Sequence, residues 1–342
     1  MADSTQSPTG RNGVVKIRDV AARAGVSVGT VSNVLNRPDY VSDENRVKVQ
    51  RAMSELGFIR NDLARQLRQK QSRTYGLITL SLTNPFFGEV AHAAQAQAER
   101  DGFTVLVGSS DFSPEREDRY IELFELQQVR GLMIAPNSGV SERLQAMRRR
   151  GVPIVLFDSV GRHEGFSAVF LDGVEGGRLA GEHLIRSGRR RLLFTGGPLA
   201  QVSDRLAGVS DAVTKAEGVS LQVIETSDMT VSDGLSVGLQ IVGLPEALRP
   251  DGVFAANDQM AFGIIQALTQ AGLEVPAAIG VIGYDDIPFA ATGTVPLTTV
   301  RQPVEEIATA AVTLLHEQAE LGSAFSPQTV RLQPELILRR SA

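Results

Sequence analysis

The sequence predicts an α/β protein in which a small domain of three helices precedes a large domain built around two parallel sheets. Apolar residues recur at helical spacing between residues 17 and 56, whereas apolar strands alternate with helices beyond Arg73. The charge divides at about the same point, since residues 1–72 carry a net charge of +5 and residues 73–342 carry −10. A basic N-terminal part on an otherwise acidic chain suggests that this part meets a polyanion.

The composition indicates a soluble protein with more than one domain. Its 342 residues are 42% hydrophobic and 21% charged, which is enough to bury a sizeable core. No run of about 18 apolar residues could span a membrane, and the polar start lacks the apolar part of a signal peptide. The absence of cysteine excludes disulfides, thiolate metal sites and a cysteine nucleophile. We therefore expect a cytoplasmic protein, and no motif predicts a cofactor.

The three helices of the small domain follow from caps and apolar spacing. The first helix begins at Ile17 and ends at Gly25, and the second runs from its cap at Ser27 to residue 36. The third helix follows a cap at Ser42 and closes at Gly57. The predicted buried residues are Ile17, Val20, Ala21 and Ala24 in the first helix, Val28 or Val31 with Val34 and Leu35 in the second, and Val47, Ala52 and Leu56 in the third.

The first two helices are joined by a tight glycine-containing turn, which makes the small domain a helix-turn-helix domain. The outward face of the second helix carries small hydrogen-bonding side chains, which can approach base edges and phosphates closely in the major groove of DNA. The alternative is a surface helix in an ordinary bundle. Because the domain is also basic and terminal, the sequence favours DNA binding.

The large domain is predicted as strands separated by helices. Its apolar strands are YGLITLSL, FTVLVGS, RGLMIAP and VPIVLFD, followed by RLLFTGG, LQVIET, DGVFAAN and IGVIGYDD. Helices are predicted over residues 87–101, 114–129 and 141–150 between the first four strands, and further helices separate the last four. Continuous apolar strands that alternate with helices indicate two doubly wound parallel sheets, each covered on both faces.

Polar residues gather where several of these strands end. They are the segment TNPFF after the first strand, Asp158 after the fourth, AND at 256–258, and Tyr284, Asp285 and Asp286. Ligands in this architecture bind beyond the carboxyl ends of strands, so these residues predict a ligand site in one cleft. The alternative is that each cluster only caps a helix or forms a turn.

Residues 17–67, IRDVAARAGVSVGTVSNVLNRPDYVSDENRVKVQRAMSELGFIRNDLARQL, contain the pattern A-x-x-A-G-V-S-x-x-T-V-S. This stretch resembles the DNA-binding end of the LacI/GalR family of bacterial transcription regulators. At Asn33 relatives often carry Arg, and Asn prefers adenine where Arg prefers guanine, so the operator base read there is expected to differ. The resemblance implies that Ser27, Val28, Gly29, Thr30, Ser32, Asn33 and Asn36 face the operator, with Ile17, Tyr40, Ser42 and Asn45 near the DNA backbone.

The segment 61–73 connects the two domains. Leu63, Ala64 and Leu67 fall on one side of a helix that is too short to be stable alone. The family resemblance implies a hinge helix that pairs with a second copy in the minor groove, where Leu67 wedges between base steps and Asn61 joins the DNA-binding residues. The alternative is a plain linker with Leu67 lying on the large domain.

The large domain resembles the periplasmic sugar-binding fold that LacI/GalR proteins use as a sensor, in segments such as GGPLAQVSDRLAGV, AANDQMAFGIIQAL and VIGYDDIPFA. The predicted domains are a disordered tail over 1–15, the DNA-binding domain over 16–60, the hinge over 61–73 and the effector-binding domain over 74–342. Within the last, the resemblance implies one subdomain of about 74–171 and 302–328 and another of about 172–301 and 329–340.

The same resemblance implies an effector site at the polar strand ends. Carboxylates and amides pair with hydroxyl groups, and an aromatic face packs on the C–H surface of a ring, so the implied residues suit a sugar. Arg205 would donate two hydrogen bonds from its rigid guanidinium. The other implied residues are Phe86 and Phe87 beside the effector, Asn84, Asp158, Asn257 and Asp285 as polar contacts, and Phe170 as an apolar wall.

These observations predict a transcriptional regulator, and by resemblance a repressor, that binds a pseudo-palindromic operator as a homodimer and responds to a sugar. The alternatives for control are a nucleobase and a phosphorylated carrier protein. An enzyme is disfavoured, because the chain has no GxxxxGK[ST] phosphate loop. The four histidines have no metal-ligand spacing either, and they are His92, His163, His183 and His316.

Overall fold

The computed structural model of the chain describes residues 15–58, 72–158 and 164–342, and only the backbone of Asn36. The chain divides into two compact units, Met1–Gln71 and Ser72–Ala342. Nearly all of the predicted tail and hinge lies outside the described residues. Among the described helices, none is long and apolar enough to cross a membrane.

The described residues of the first unit, 15–58, form three α-helices, α1 (Ile17–Ala24), α2 (Val28–Asn36) and α3 (Asp43–Leu56), with a short 3₁₀ turn over Pro38–Tyr40. Helices α1 and α3 end at Gly25 and Gly57, which adopt left-handed conformations with φ of 68° and 61°. Ser27 caps α2 as predicted, because its Oγ accepts a hydrogen bond from the backbone amide of Thr30 at 3.0 Å. The buried core consists of Val20, Ala21, Val31, Val34, Val49 and Ala52.

One predicted core residue of this unit is wrong. Val47 is 61% exposed, and Val49 is buried in its place. The other core positions of α3 lie three and seven residues after Val49 on the same face, whereas Val47 is two residues away and points elsewhere. In α2, Val31 fills the core and Val28 is 46% exposed, which settles the alternative that the sequence left open.

The second unit contains a first sheet of six parallel strands in the order β11-β5-β4-β3-β1-β2. Helices α4 (Pro85–Arg100) and α11 (Val304–Leu321) cover one face, and α5 (Pro114–Leu126) and α6 (Glu142–Arg149) cover the other. The strands are β1 (Thr74–Thr79), β2 (Thr104–Ser109), β3 (Gly131–Ile134), β4 (Ile154–Phe157), β5 (Ser167–Leu171) and β11 (Thr329–Leu332).

A second sheet follows in the order β12-β10-β9-β8-β6-β7, and only β12 pairs antiparallel. Helices α7 (Gly173–Arg186) and α8 (Leu199–Thr214) cover one face, and α9 (Val231–Gly243) and α10 (Asp258–Gln270) cover the other. The prediction of two covered, essentially parallel sheets is therefore confirmed. The strands are β6 (Arg191–Gly196), β7 (Ser220–Glu225), β8 (Gly252–Ala255), β9 (Gly280–Asp285), β10 (Thr298–Arg301) and β12 (Glu335–Ile337).

The chain crosses between the two sheets three times: after β5, between β10 and α11, and between β11 and β12. The predicted subdomain limits are wrong at the third crossing. Residues 329–332 form β11 and pair in parallel with β5 of the first sheet, so only the chain from β12 onward joins the second sheet. The sequence pattern does not predict β5, β10, β11 or β12.

Two helix pairs of the second sheet pack backbone to backbone through glycine. A Cβ atom at Gly177 of α7 would lie 2.0 Å from the carbonyl oxygen of Arg205 in α8. In the other pair, a Cβ atom at Gly234 of α9 would lie 2.1 Å from the carbonyl oxygen of Met260 in α10. These close crossings fix the positions of α8 and α10, and both helices contribute residues to the site described next.

Candidate functional site

A cavity of about 520 Å³ lies between the two sheets of the second unit. Many of its lining residues lie at or just after the carboxyl ends of strands from both sheets, where this architecture places ligands, and others come from helices. The structure thus brings together polar clusters that are up to 200 residues apart in the sequence. Seven of the eight predicted effector residues line this cavity: Asn84, Phe86, Phe87, Asp158, Arg205, Asn257 and Asp285.

Phe170 does not line the cavity, so the apolar wall predicted at this position is wrong. It lies in β5 two residues after Ala168, which packs against the helices α5 and α6. Val169, on the opposite side of the strand, packs in the core with α4 and α11. Because side chains alternate along a strand, Phe170 lies on the face of Ala168. The apolar lining instead includes Leu80, Phe86, Phe87, Phe112, Val202 and Met229.

Several polar residues line the cavity without having been predicted. Asn137 follows β3, a predicted strand, so the strand-end rule would have found it, whereas Gln302 follows β10, which the sequence pattern does not predict. Gln201 and Gln259 lie inside helices, where no local signal distinguishes them from surface residues. The unpredicted polar lining residues are Ser81, Asn137, Ser138, Gln201, Asp228, Thr230, Gln259 and Gln302.

Asp285 is buried at the end of β9 and has a left-handed φ of 111°. Its Oδ2 accepts a hydrogen bond from Asn84 Nδ2 at 3.0 Å, and its Oδ1 accepts one from Gln302 Nε2 at 2.7 Å. Burial raises the pKa of Asp285, although Arg205 and the two amides favour the charged form. Each carboxylate oxygen can still accept a further hydrogen bond from a ligand hydroxyl group.

Besides the Gln302–Asp285 bond beside the crossover after β10, three side-chain hydrogen bonds between described residues join the two subdomains around the cavity. In the first, Asn84 Nδ2, from the residue that caps α4, donates to Asp285 Oδ2. In the other two, Gln259 Nε2 donates to the Thr83 carbonyl oxygen at 3.0 Å, and Gln201 Nε2 donates to Asn137 Oδ1 at 3.3 Å. Separating the subdomains would break all three, so these bonds favour the arrangement in which the cavity is enclosed.

Arg205 and Asn257 are held by the protein as well as lining the cavity. The Arg205 guanidinium carbon lies 3.8 Å from the centroid of the Tyr284 ring, and Nη1 donates to the Ala256 carbonyl oxygen. Asn257 Oδ1 accepts a hydrogen bond from the Met260 amide at 2.9 Å and so caps α10. Asn257 therefore caps the helix and lines the cavity at the same time.

The predicted DNA-contacting residues of the first unit lie on and around α2. The start of this helix presents small polar side chains to solvent, as expected for a helix that enters the major groove. Asn61, Leu67 and the side chain of Asn36 lie outside the described residues. The exposed members of the set are Ser27, Val28, Gly29, Asn33, Tyr40 and Ser42, and the half-buried members are Ile17, Thr30, Ser32 and Asn45.

Two family models match the chain. The model for bacterial regulatory proteins of the lacI family covers residues 16–61, and that for a periplasmic binding protein-like domain covers residues 182–342. The ribose operon repressor of Bacillus subtilis is 36% identical over 87% of this chain and 90% of its own length. This chain belongs to the lacI family. A second relative, the HTH-type transcriptional repressor PurR of Erwinia tasmaniensis, is 34% identical over 95% of this chain and 96% of its own.

A solved repressor shares the fold of this lacI-family protein. The crystal structure of the lac repressor dimer bound to operator and the anti-inducer ONPF has a TM-score of 0.80 and 30% identity, and covers 96% of this chain and 99% of that one. The predicted family and architecture are thus confirmed. The protein is a DNA-binding transcriptional repressor under ligand control and not an enzyme.

Asp158 supplies a second carboxylate to the cavity of this lacI-family repressor. It follows β4 and has a left-handed φ of 46°. Burial is the main reason that its pKa is raised from 3.8 to about 7, while Arg205 opposes the shift and Asp285 adds to it. Within the described ranges, no group of His, Asp and Glu side chains is arranged to hold a metal ion.

We expect Asp158→Asn to stabilise the ligand-free protein at pH 8 and not at pH 4. Since the folded state holds the proton up to about pH 7, the unfolded chain ionises first as the pH rises, and stability falls between about pH 4 and pH 7. The asparagine side chain avoids this cost, so urea denaturation should give a free energy of unfolding larger by about 1–3 kcal/mol at pH 8.

The matched control for this prediction is Asp211→Asn, because Asp211 lies on the solvent side of α8 and pairs with Lys215 at 2.6 Å. We expect its effect to stay below about 0.5 kcal/mol at both pH values. A gain in Asp158→Asn that is equally large at pH 4 and pH 8 would show that the benefit has another origin than the buried charge.

Proposed function

We propose that the effector of this repressor is a sugar or a sugar derivative bound in the cavity between the two subdomains. The observation that carries the proposal is the combination of side chains around that cavity. Asp158 and Asp285 accept hydrogen bonds from hydroxyl groups, Arg205 offers donors in a fixed plane, and Phe86 and Phe87 lie in the apolar wall. The relationship to a ribose operon repressor supports the same ligand class.

The DNA side of the proposal assigns base contacts to the start of α2 in the major groove. Ser27, Val28, Gly29 and Asn33 are exposed there and small enough to approach base edges. We further propose that two copies of the chain bind a pseudo-palindromic operator, since two-fold symmetry of a dimer imposes two-fold symmetry on its site. In this scheme residues 61–73 act as the hinge, Leu67 enters the minor groove, and the protein acts in the cytoplasm, where the operator is.

Control of DNA binding would then come from the relative position of the subdomains. A sugar that bridges Asp285 and Asp158 contacts both subdomains and favours one arrangement of the strands that join them. The arrangement sets the distance between the two hinge segments of a dimer, and therefore the population that can bind the operator. By linkage, the operator changes sugar affinity by the same factor as the sugar changes operator affinity.

A nucleobase is the second candidate effector, because a repressor named PurR is as similar to this chain as several ribose operon repressors. The aromatic side chains of the cavity could also stack on a flat heterocycle. A phosphorylated carrier protein is the third option from the sequence, and it would leave the cavity without a small-molecule role.

The deciding experiment first selects an operator from random duplex DNA and then titrates the full chain with candidate effectors by calorimetry. We expect D-ribose or another unmodified monosaccharide to bind and to change operator affinity by at least about fivefold, which corresponds to a coupling free energy of about 1 kcal/mol or more. Binding of hypoxanthine or guanine, with no response to any sugar, would favour the nucleobase. A response to neither class would contradict both proposals.

A further inference from the structure

The charges around the cavity are unbalanced. Three carboxylates line it, those of Asp158, Asp228 and Asp285. Among the residues that the structure describes, Arg205 is the one basic side chain in the lining. A ligand in this cavity therefore meets more negative charge than positive charge.

Arg205 is already engaged by the protein. Its guanidinium lies against the Tyr284 ring at 3.8 Å and donates to the Ala256 carbonyl oxygen. Its charge also favours the ionised forms of Asp158 and Asp285, and so opposes the rise in their pKa values that burial causes. An anionic ligand that used Arg205 would take the cation away from these two carboxylates and leave them closer to full charge.

Two of the three carboxylates accept hydrogen bonds from neutral groups. Asp285 accepts hydrogen bonds from two side-chain amides, and Asp228 Oδ1 accepts one from the Met229 amide at 2.7 Å. In the described part of the chain, no basic side chain lies within ion-pair distance of Asp158, Asp228 or Asp285. Their negative charge is consequently not cancelled at contact distance, and the partly enclosed cavity strengthens its effect.

We propose that this cavity selects an uncharged sugar and rejects the phosphorylated and carboxylate forms of the same sugar. The inference rests on the proposed sugar effector and adds that this sugar carries no charged group. Hydroxyl groups donate hydrogen bonds to carboxylates, whereas a phosphate dianion offers acceptors only and is repelled. The repressor then senses the free sugar, and its signal falls when a phosphoryl-transfer or oxidation reaction consumes that sugar.

The test measures binding of matched neutral and anionic sugars to the full chain by calorimetry. The probes are D-ribose against D-ribose 5-phosphate and D-ribonate, and D-glucose against D-glucose 6-phosphate and D-gluconate. The titrations are run at pH 8, above the pKa of about 7 that burial gives Asp158. We expect the anionic form to bind at least 100-fold more weakly than its parent sugar, since repulsion by more than one carboxylate adds up.

A phosphate group also adds bulk, so the variant Asp228→Asn separates charge from size. Asparagine keeps the oxygen that accepts from the Met229 amide and removes one negative charge. We expect the preference for the neutral sugar to narrow by roughly tenfold in Asp228→Asn and to stay unchanged in Asp211→Asn, whose carboxylate lies outside the cavity lining. Raising the salt concentration from 0.1 M to 1 M should also narrow the preference in the unmodified protein.

The outcomes are distinguishable. An anionic sugar that binds as tightly as its parent would overturn the charge inference while leaving a sugar effector in place. A preference that survives both Asp228→Asn and high salt unchanged would overturn its electrostatic basis. If no sugar binds in either form, the proposed effector class itself is wrong, and the inference fails with it.

Discussion

Asp285→Asn is expected to remove the response of operator binding to the sugar while leaving operator binding itself intact. In the folded protein the two carboxylate oxygens of Asp285 accept from two donors, Asn84 Nδ2 and Gln302 Nε2. An asparagine amide has one oxygen and one NH₂ group, so one of these donors would face another donor in either orientation. The variant also loses the charged acceptor for a ligand hydroxyl group, and we expect sugar affinity to fall at least 100-fold.

Asparagine is the appropriate replacement because residue 285 has a φ of 111°, where an alanine side chain would add backbone strain. Calorimetry measures the sugar affinity, and fluorescence anisotropy of labelled operator DNA measures the response. The DNA-binding residues belong to the other compact unit, so affinity for the operator without sugar should stay within threefold.

The neighbouring residue provides a matched control. Asp286 also has a positive φ, of 59°, but it pairs with Arg301 and Arg339 at 2.7 Å each and does not line the 520 Å³ cavity. Asp286→Asn should weaken these ion pairs and leave sugar affinity within about threefold. If Asp285→Asn binds the sugar as well as Asp286→Asn does, Asp285 has no direct part in the site.

The part of the site that sequence reasoning predicts is the part that follows from strand ends. Asn84, Asp158, Asn257 and Asp285 each lie at the carboxyl end of a continuous apolar strand or within five residues after it, and parallel strands bring such positions to one edge. Gln201 and Gln259 escape this reasoning because they lie within helices and reach the cavity only through long-range packing. Their hydrogen bonds to the opposite subdomain could not be inferred from any local pattern.

The fold shows the same division between local and long-range causes. Six of the eight predicted strands are apolar runs that are buried over nearly their whole length, whereas β11 and β12 consist of exposed and half-buried residues and are only four and three residues long. Their partners lie far away in the chain, as in the pairing of Thr329 with Ala168. The prediction that Phe170 lines the cavity failed for a related reason. The family resemblance indicates which residue in the chain to compare, but it does not indicate which face of the strand the side chain lies on.

Gly177→Ala is expected to cause the largest loss of stability among these variants. The added Cβ atom would lie 2.0 Å from the carbonyl oxygen of Arg205 and 2.8 Å from its carbonyl carbon, and both atoms belong to the backbone of α8. A rotamer change cannot relieve such a contact, so α7 and α8 would have to move apart. Overpacking of this kind costs about 1–3 kcal/mol or more, and we expect a loss of at least ~3 kcal/mol in urea denaturation.

Gly88→Ala is the matched control, because Gly88 also lies inside a helix, α4, and a Cβ atom there would meet nothing within 4 Å. Replacing an unobstructed helical glycine by alanine should stabilise the protein by about 0.5–1 kcal/mol. The two variants introduce the same methyl group and should therefore shift stability in opposite directions.

The close contact between Gly177 and the backbone of Arg205 is also expected to affect sugar binding, and not stability alone. A shift of α8 displaces the Arg205 guanidinium from the Tyr284 ring, so refolded Gly177→Ala should bind the sugar at least tenfold more weakly at temperatures where it remains folded. Gly88→Ala should bind it within threefold of the unmodified protein. Unchanged sugar affinity in folded Gly177→Ala would mean that the position of α8 does not set the geometry of the cavity.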